Sequence, residues 1–379
     1  MSKQILEQLQ TPALILDEAR MDRNIERMRS QMRRLGVSFR PHVKTSKCID
    51  VARRSMETPE GPITVSTLLE ADYFAAHGVK DILYAVCIAP NKLDHVMALQ
   101  DKGVRLSLLL DSMETARLLV ERAKLAQRSF DVLIEVDSDG HRSGVAPDAD
   151  ELVEIGRFLE ANGIVVKGVL THAGSSYDCA SVEAIRAMAE QERAAVVHAA
   201  QRLRAAGLAC PVVSVGSTPT ALFAEQLEGV TEVRAGVFVF FDLVMAGLNV
   251  CRVDDIVLSV LATVIGHQRE KGWTILDAGW MAMSRDRGTQ KQKVDQGYGL
   301  VCDLDGRPLD DFILVGANQE HGIMAHRSGK TDPALHLPVG TQVRILPNHA
   351  CPTAAQYGHY KVLGPGHEIS ASWQRFSGW

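Results

Sequence analysis

The sequence predicts an α/β fold, a (β/α)₈ barrel, followed by a smaller all-β domain. Apolar strand-like runs alternate with helix-like runs over about 200 residues. Several strands, such as Leu106–Leu110, are apolar nearly throughout, as expected when both faces of a parallel sheet are covered. Eight such units favour a closed barrel over an open doubly wound sheet, and no GxGxxG motif follows the first strand. The predicted strands are 37–41, 63–66, 82–86, 105–110, 131–136, 164–171, 211–215 and 231–236.

Helical periodicity between the strands completes the alternating pattern. Asp111-Ser112 and Pro147-Asp148 predict helix starts, and glycines at 78, 103, 163 and 207 predict helix ends. The predicted helices are Lys47–Met56, Thr67–His77, Asn91–Asp101, Met113–Ala126, Asp148–Ala161 and Ser181–Ala206.

The pattern changes after about Asn249, where short strands are joined by turns that contain Gly, Asp and Pro. These strands are predicted at 256–267, 273–277, 312–316, 342–346, 360–363 and 368–373. An isolated strand at 14–16 has no place in the eightfold count, so we expect it to pair with this β domain. Asp17 then caps the following helix. We therefore predict a barrel domain at 17–248 and a β domain at 1–16 and 249–379.

Composition limits the classes of function. The 379 residues are 46% hydrophobic and carry a net charge of -5, which is typical of a soluble enzyme. The absence of a basic stripe argues against nucleic acid as a partner, and no apolar run is long enough to span a membrane. Seven scattered cysteines without a CxxC pair suit a reducing compartment, and the polar start lacks a signal peptide. We expect a cytoplasmic enzyme that acts on a small molecule.

A polar stretch ends the first predicted barrel strand. Its extended run reaches His42 and Lys44, and a helix-like run follows at once. A lysine at this junction lies on rigid backbone, with its amine projecting beyond the sheet. We interpret Lys44 as an amine held for Schiff-base chemistry, in which a neutral lysine attacks a carbonyl. The alternative is an ordinary solvated lysine, since most lysines are surface charges.

Gly-rich polar stretches follow strands seven and eight of the predicted barrel. Gly216, Ser217 and Thr218 offer unhindered backbone N–H groups and two hydroxyls, and Pro219 then opens a short helix. Gly236 at the next strand end adds further amide donors. Phosphate tends to bind at this place in such barrels, so the sequence predicts a phosphate cradle. An ordinary capped turn is the alternative.

Cationic and aromatic side chains lie near other strand ends. Arg142 and Arg234 are the cations, and His172 and Tyr177 follow strand six. A phosphorylated cofactor with a phenolate oxygen needs cationic partners, and its ring would stack on or hydrogen-bond to the aromatic pair. The alternatives are a surface ion pair and a packing tyrosine.

A histidine and a cysteine near the C-terminus predict a metal site. His349 and Cys351 are two apart on a segment that we expect to be extended, which would place both side chains on one face. Imidazole and thiolate suit zinc, with manganese, cobalt and magnesium as alternatives. Glu320 or His321 would supply a third ligand or a supporting partner. A chance His-x-Cys pair is the alternative.

Five motifs occur in one order, and together they resemble one family. They resemble the metal-activated, pyridoxal 5'-phosphate (PLP)-dependent D-serine dehydratase / D-threonine aldolase family, which has the alanine racemase fold (PLP fold type III). The resemblance spans about Thr11 to Trp379 and implies a cofactor in the barrel and a metal in the β domain. The motifs are Arg40–Thr45, Gly140–Val145, Val215–Thr218, Arg234–Val237 and Asn348–Cys351.

The resemblance also implies roles for the matching residues. Lys44 matches the Schiff-base lysine, Arg142 an arginine beside the phenolic oxygen, and Arg234 one at the pyridine nitrogen. His349 and Cys351 match the metal pair; aldolases usually carry Asp in place of Cys351, so the sequence favours a dehydratase. The phosphate positions match Gly216, Ser217, Thr218, Gly236 and Val237. The fold type also suggests a homodimer, with Tyr298 near the site.

The expected reaction is loss of water from a 3-hydroxy-D-amino acid such as D-threo-3-hydroxyaspartate, D-serine or D-threonine. Lys44 would take the Cα proton, and the ion would bind the β-hydroxyl as a Lewis acid. An arginine at the pyridine nitrogen would weaken the ring as an electron sink. Loss of the β-hydroxyl would then depend more on the metal ion. The rival reaction is retro-aldol cleavage to glycine and an aldehyde. A racemase, a non-catalytic PLP carrier and a dinucleotide enzyme fit the motifs less well.

Overall fold

The computed structural model describes residues 5–332 and 336–379. The chain divides into two compact units. The first, the β unit, comprises Met1–Glu26 and Val237–Ser377; the second, the barrel unit, comprises Arg27–Gly236 and Gly378–Trp379. Strand β1 (Ala13–Asp17) and helix α1 (Glu18–Leu35) come first in the chain. The domain limits that we predicted from the sequence stay a prediction.

Eight parallel strands form the sheet of the barrel unit, which confirms the predicted barrel. They are β2 (Ser38–Pro41), β3 (Ile63–Val65), β4 (Asp81–Cys87), β5 (Arg105–Leu110), β6 (Asp131–Val136), β7 (Val165–Thr171), β8 (Val212–Val215) and β9 (Glu232–Ala235). Their order is β2-β9-β8-β7-β6-β5-β4-β3. The two ends of this order meet where the N–H of Val43 donates to the carbonyl of Thr64 at 2.9 Å, beside a parallel bridge from His42 to Thr64.

Helices connect the barrel strands, as the periodicity predicts. They are α2 (Ile49–Ser55), α3 (Leu68–Ala76), α4 (Leu93–Asp101), α5 (Met113–Ala126), α6 (Asp150–Ala161), α7 (Val182–Ala205) and α8 (Thr218–Phe223). The predicted cap at Ser112 is confirmed, since its hydroxyl accepts the N–H of Thr115. The predicted start at Pro147-Asp148 is wrong, because Asp148 lies in the preceding turn and the N-cap is Ala149. No helix in the described residues is long and apolar enough to cross a bilayer.

A nine-stranded sheet forms the β unit, which confirms the predicted β fold of the C-terminal part. Its further strands are β10 (Leu258–Gln268), β11 (Trp273–Leu276), β12 (Gly299–Cys302), β13 (Pro308–Ala317), β14 (Gly322–His326), β15 (Gln342–Pro347), β16 (His359–Leu363) and β17 (Ile369–Gln374). Their order is β11-β14-β13-β12-β15-β10-β1-β16-β17. The described residues of the unit also form short α-helices, α9 (Leu243–Gly247), α10 (Trp280–Met283) and α11 (Ala350–Ala354).

Strand β1 pairs inside the β unit, as we expected from its isolation in the sequence. It runs antiparallel to β10 and parallel to β16. Ile15 packs in one buried cluster with Leu261 and Leu363 of these two neighbours. The carboxylate of Asp17 accepts the N–H of Arg20 at 3.0 Å, which confirms the predicted cap of α1.

The sequence analysis missed strands β12 and β14. All four residues of β12 are buried, because it lies between β13 and β15. A four-residue strand that is buried on both faces shows no alternation of polar and apolar residues, so periodicity cannot separate it from an apolar turn. The partners that define it come from later parts of the chain.

One leucine cluster provides a test of the barrel packing. Leu83, Leu109, Leu133 and Leu170 come from four neighbouring strands and are buried together. Leu133→Ala should lower the free energy of unfolding by about 2–5 kcal/mol, because the space it leaves stays partly empty. Denaturant titration measures this change.

Leu125→Ala is the matched control, because Leu125 on α5 is 75% exposed. We expect its free energy of unfolding to stay within about 0.5 kcal/mol of the parent. Equal effects of the two substitutions would contradict the packing described above.

Candidate active site

Lys44 lies in the turn between β2 and α2, the position that we predicted from the sequence. Two backbone hydrogen bonds hold this turn on opposite sides. The N–H of His42 donates to the carbonyl of Ala235 at 2.8 Å, and the N–H of Val43 donates to that of Thr64 at 2.9 Å. The Lys44 side chain is exposed, and the residue follows the carboxyl end of the strand on well-held backbone.

Two uncharged histidines lie near Lys44. Burial, with the positive charges of Lys44 and Arg234, lowers the pKa of His42 well below its usual value. Burial also lowers the pKa of His172 to about 3, and the charges of Lys44, Arg142 and Arg234 act in the same direction. The hydrogen bond between His172 and Gly216 opposes this shift. Both imidazoles are therefore neutral at physiological pH.

The same electrostatic effects show that the predicted residues converge. Lys44, Arg142 and Arg234 all act on the imidazole of His172, although the four residues follow or end different strands. The carboxyl ends of the strands of a parallel barrel meet at one face, which brings such residues together. Three cationic groups, Lys44, Arg142 and Arg234, thus lie near enough to His172 to disfavour its charged form.

Arg234 is a fixed cation inside the barrel. Its Nε donates to the hydroxyl of Ser214 at 2.9 Å, and its Nη2 donates to the carbonyl of Thr171. Burial lowers its pKa to about 10, against the attraction of Glu232. The guanidinium therefore remains charged at neutral pH, and its hydrogen bonds limit its movement.

Arg142 is half-exposed and lies beside a buried carboxylate that the sequence analysis missed. Its Nη2 is 3.8 Å from Oε1 of Glu135, and Oε2 of Glu135 accepts hydrogen bonds from Ser143 and Cys87. Glu135 is the penultimate residue of β6, and a charge within the apolar run 132–136 was the signal that could have revealed it. Glu135 therefore restrains the arginine next to the site.

Cys87, Asp111 and Glu135 place possible metal-ligand atoms within 4.8 Å of one another. Burial, followed by the charges of Glu135 and Asp111, raises the pKa of the Cys87 thiol above its usual value. In this structure the Cys87 thiol donates a hydrogen bond to Oε2 of Glu135 at 3.2 Å.

The loop after β8 differs in one respect from the prediction. Ser217 caps α8: its hydroxyl accepts the N–H of Thr220, and its own N–H donates to the Thr220 hydroxyl, both at 3.2 Å. The N–H of Gly216 donates to Glu192 at 3.0 Å. The expectation of unhindered N–H groups at Gly216 and Ser217 is therefore wrong, because buried N–H groups take intramolecular acceptors.

Close backbone approach explains the glycine at 216. Its φ is +155°, and a Cβ there would lie 1.8 Å from the carbonyl oxygen of Arg234. A Cβ at Gly236 would likewise lie 3.0 Å from the carbonyl oxygen of His42. The ends of β8, β9 and β2 therefore meet backbone to backbone near Lys44.

The remaining two residues predicted near the cofactor occupy different places. The rings of Tyr177 and His172 have centroids 6.4 Å apart and are tilted by 46°. Their predicted contacts with the cofactor ring stay a prediction. Val237 belongs to the β unit, where it is buried and opens a short 3₁₀ helix, Val237–Val239. Its predicted contact with phosphate stays a prediction.

The predicted metal pair lies at the start of α11 in the β unit. His349 is the N-cap of this helix, and Cys351 lies in its first turn. The expectation of an extended segment is therefore wrong: Asp242 accepts the N–H of Ala350 at 3.1 Å, and the chain turns into a helix there. The two side chains nevertheless meet, since His349 hydrogen-bonds to Cys351.

Asp286 completes this cluster, and the sequence analysis missed it. Its Oδ2 is 2.9 Å from Nδ1 of His349. Burial alone lowers the pKa of His349, but its hydrogen bonds with Asp286 and Cys351 raise it above the usual value. A carboxylate that holds Nδ1 orients the imidazole so that Nε2 is the ligand atom for an ion. The imidazole, the thiol and this support fit a divalent transition metal.

Glu320 and His321 are exposed in the turn between β13 and β14. Their predicted role as a third ligand or supporting partner stays a prediction, and Asp286 is the residue observed to support His349. Tyr298, which we expected near the site, lies under the guanidinium of Arg287 at 5.0 Å.

The barrel residues define a class of protein: a barrel enzyme with an amine and cations at the carboxyl ends of its strands. Residues 16–244 match the family described as "Alanine racemase, N-terminal domain", and residues 257–363 match the "Putative serine dehydratase domain". The chain belongs to the alanine racemase-type family that combines these two domains. This confirms the resemblance found in the sequence motifs.

Individual relatives are similar to this chain over its full length. D-threo-3-hydroxyaspartate dehydratase of Delftia sp. (strain HT23) is 55% identical, with 98% of each chain covered. The solved structure of this enzyme from Delftia sp. HT23 is 54% identical, with a TM-score of 0.97 and all of both chains covered. A structure of a cysteine-to-alanine mutant of D-threo-3-hydroxyaspartate dehydratase in the metal-free form, 53% identical, has a TM-score of 0.96 and also covers both chains fully.

The support of His349 by Asp286 can be tested without turnover. Asp286→Ala should weaken the binding of Zn²⁺ by about 10–100-fold, because the imidazole loses the acceptor that orients it. Asp286→Asn should lie between this variant and the parent, since the amide oxygen still accepts from Nδ1. Competition with a chelator measures the affinity of the metal-free protein.

Asp310→Ala is the matched control, because Asp310 is an exposed aspartate of the same unit. We expect its metal affinity to equal that of the parent. An unchanged affinity of the Asp286→Ala variant would show that the contact with His349 does not orient a ligand.

Proposed function

We propose that this chain is a PLP- and divalent-metal-dependent dehydratase of 3-hydroxy-D-amino acids, with D-threo-3-hydroxyaspartate as the foremost substrate. The products are a 2-oxo acid and ammonia, so the enzyme is a carbon–oxygen lyase. The observation that carries the proposal is the full-length identity of 55% to a dehydratase of this substrate. The lysine, the cations and the neutral histidines of the barrel are consistent with it.

The charges of the barrel residues support PLP as the cofactor. Lys44 would hold the cofactor through its amine, Arg142 would lie beside its phenolic oxygen, and Arg234 would lie at its pyridine nitrogen. The Ser217 hydroxyl, with the backbone at Thr218 and Gly236, would receive the phosphate; the close backbone approach at Gly236 leaves little room for a side chain there. When bound, PLP supplies an aldehyde that reacts with amines and a ring that accepts electrons.

Lys44 is the proposed base for the Cα proton. With substrate bound, its Nζ would be a free amine able to take this proton. His42 is a poor proton carrier, because burial and the nearby cations disfavour its charged form. The same holds for His172, whose pKa of about 3 lies far below neutral pH. The charges around the site therefore favour the lysine over either imidazole.

We propose zinc as the ion held by His349 and Cys351. Imidazole and thiolate are ligands that zinc prefers, and Asp286 supports the imidazole. Manganese, cobalt and magnesium are the alternatives, which reconstitution of the metal-free protein separates. A divalent ion supplies a Lewis acid that stabilises a leaving hydroxyl.

The reaction class can be tested by the products. With D-threo-3-hydroxyaspartate, D-serine and D-threonine we expect the 2-oxo acid and ammonia in equal amounts. A chelator should abolish turnover and added metal should restore it, because hydroxide is a poor leaving group without a Lewis acid. Keto-acid derivatisation and an ammonia assay measure the products, and the L-enantiomers are the control.

Retro-aldol cleavage would give glycine and an aldehyde in place of the 2-oxo acid. This outcome would assign the chain to the aldolase branch and contradict the proposal. Turnover that is unaffected by chelation would contradict the role of the ion but leave the lyase activity in place.

The role of Lys44 can be tested by absorbance. Lys44→Ala should lose the visible absorbance that PLP shows when it is bound covalently to a lysine, because no amine remains at that position. Lys102→Ala is the control, since Lys102 is exposed on the surface of the same unit. A full visible band in the Lys44→Ala variant would reject the assignment.

The proposal includes a homodimer, on the basis of the fold type. Sedimentation of the loaded protein at several concentrations measures the mass. A monomer across the range would contradict this part of the proposal without affecting the chemistry.

A further inference from the structure

Glu192 is a fully buried carboxylate on the middle of α7, behind the proposed cofactor site. Its Oε1 accepts two backbone N–H groups, those of Ala173 and Gly216, each at 3.0 Å. The first belongs to the loop after β7 and the second to the loop after β8. Glu192 also hydrogen-bonds to the hydroxyl of Thr220 in the first turn of α8. One side chain therefore ties two strand ends and a helix start together.

These contacts form a closed cycle of hydrogen bonds and backbone that includes the imidazole of His172. Ala173 directly follows His172 in the chain, and Nδ1 of His172 lies 2.5 Å from the carbonyl oxygen of Gly216. The N–H of Gly216 returns to Glu192. The backbone at Ala173 and at Gly216 thus depends on one carboxylate oxygen. Because a carbonyl oxygen only accepts, Nδ1 of His172 carries the proton and donates to Gly216.

The neighbouring residue on α7 holds a third loop. The side-chain amide of Gln191 donates to the carbonyl of Ser138 at 2.7 Å, in the loop that leads from β6 to Arg142. Asp139 in this loop accepts the N–H of Ser175 at 2.8 Å, which joins it to the loop after β7. Helix α7 therefore braces the loops after β6, β7 and β8 from behind.

We propose that Glu192 is a positioning residue that sets the affinity for PLP by holding the His172 and Gly216–Thr218 loops in register. This inference rests on the proposed function. Glu192 does not reach the cofactor in this role; it acts through the backbone of Ala173 and Gly216. The length and hydrogen-bonding capacity of this side chain, rather than its negative charge, determine the PLP affinity.

The geometry at Glu192 indicates that side-chain length and hydrogen bonding matter more than negative charge. Both N–H groups donate to the same oxygen, so a glutamine can keep that oxygen as its amide carbonyl. Its amide nitrogen can then donate to the Thr220 hydroxyl. An aspartate keeps the charge but is one methylene shorter, so it cannot span both loops. Burial also raises the pKa of Glu192, which makes a neutral replacement less disruptive.

The test measures PLP affinity in the metal-free and cofactor-free full chain. Titration with PLP is followed by visible absorbance and by quenching of tryptophan fluorescence. Glu192→Gln should bind PLP within about threefold of the parent. Glu192→Asp and Glu192→Ala should bind about tenfold more weakly or worse, because N–H groups of the cradle lose their acceptor.

Two controls separate positioning from folding. Glu190→Gln, on the exposed face of the same helix, should match the parent in affinity. Thermal unfolding without PLP reports stability alone. If Glu192→Asp unfolds earlier but binds PLP as the parent does, Glu192 is merely structural and the inference is overturned. If Glu192→Ala does not fold, the Asp and Gln variants decide.

A tenfold loss in Glu192→Gln, with full affinity in Glu192→Asp, would show that charge is the property required and would also overturn the inference. Failure of the proposed function gives a different result, since the parent itself would then bind no PLP. We expect the parent and Glu192→Gln to bind PLP tightly, and Glu192→Asp and Glu192→Ala to bind it weakly.

Discussion

Closure of the barrel and the position of Lys44 depend on the same backbone hydrogen bonds. His42 is joined to Ala235 on one side of the turn, and Val43 is joined to Thr64 on the other. These are contacts between the first barrel strand and its two neighbours, so a barrel that fails to close also releases the lysine. Lys44 thus follows a strand end that backbone hydrogen bonds hold on both sides, and closure removes the exposed edges that an open sheet would have.

Charge in the barrel is organised by burial. Arg234 keeps its positive charge because burial lowers its pKa only to about 10, whereas the two histidines beside it stay neutral. An uncharged imidazole can donate one hydrogen bond and accept another, which suits orientation better than proton transfer at neutral pH. Because both histidines stay neutral, they add no positive charge beside Lys44, Arg142 and Arg234.

Several elements were predictable because their signals are local. Strand β5 and helix α5 have the bounds that periodicity and the Ser112 cap predict, 105–110 and 113–126. An apolar run and a capping residue act within a few residues of themselves, so no distant partner is needed to recognise them. Strand β12 was missed for the opposite reason, since its neighbours in the sheet define it. The helix at Cys351 was mistaken for extended chain because the carboxylate that accepts the Ala350 N–H, Asp242, is 108 residues away.

The sequence by itself determined the residue types at the strand ends and their order, and with them the barrel, the lysine, the cations and the His-Cys pair. Only the tertiary structure decided which groups support them. Asp286 meets His349 across 63 residues, Glu192 reaches Gly216 across 24, and Glu135 reaches Cys87 across 48. A periodic pattern records the face that a residue occupies, but a hydrogen bond between distant segments exists only once the chain has folded and both partners have left water.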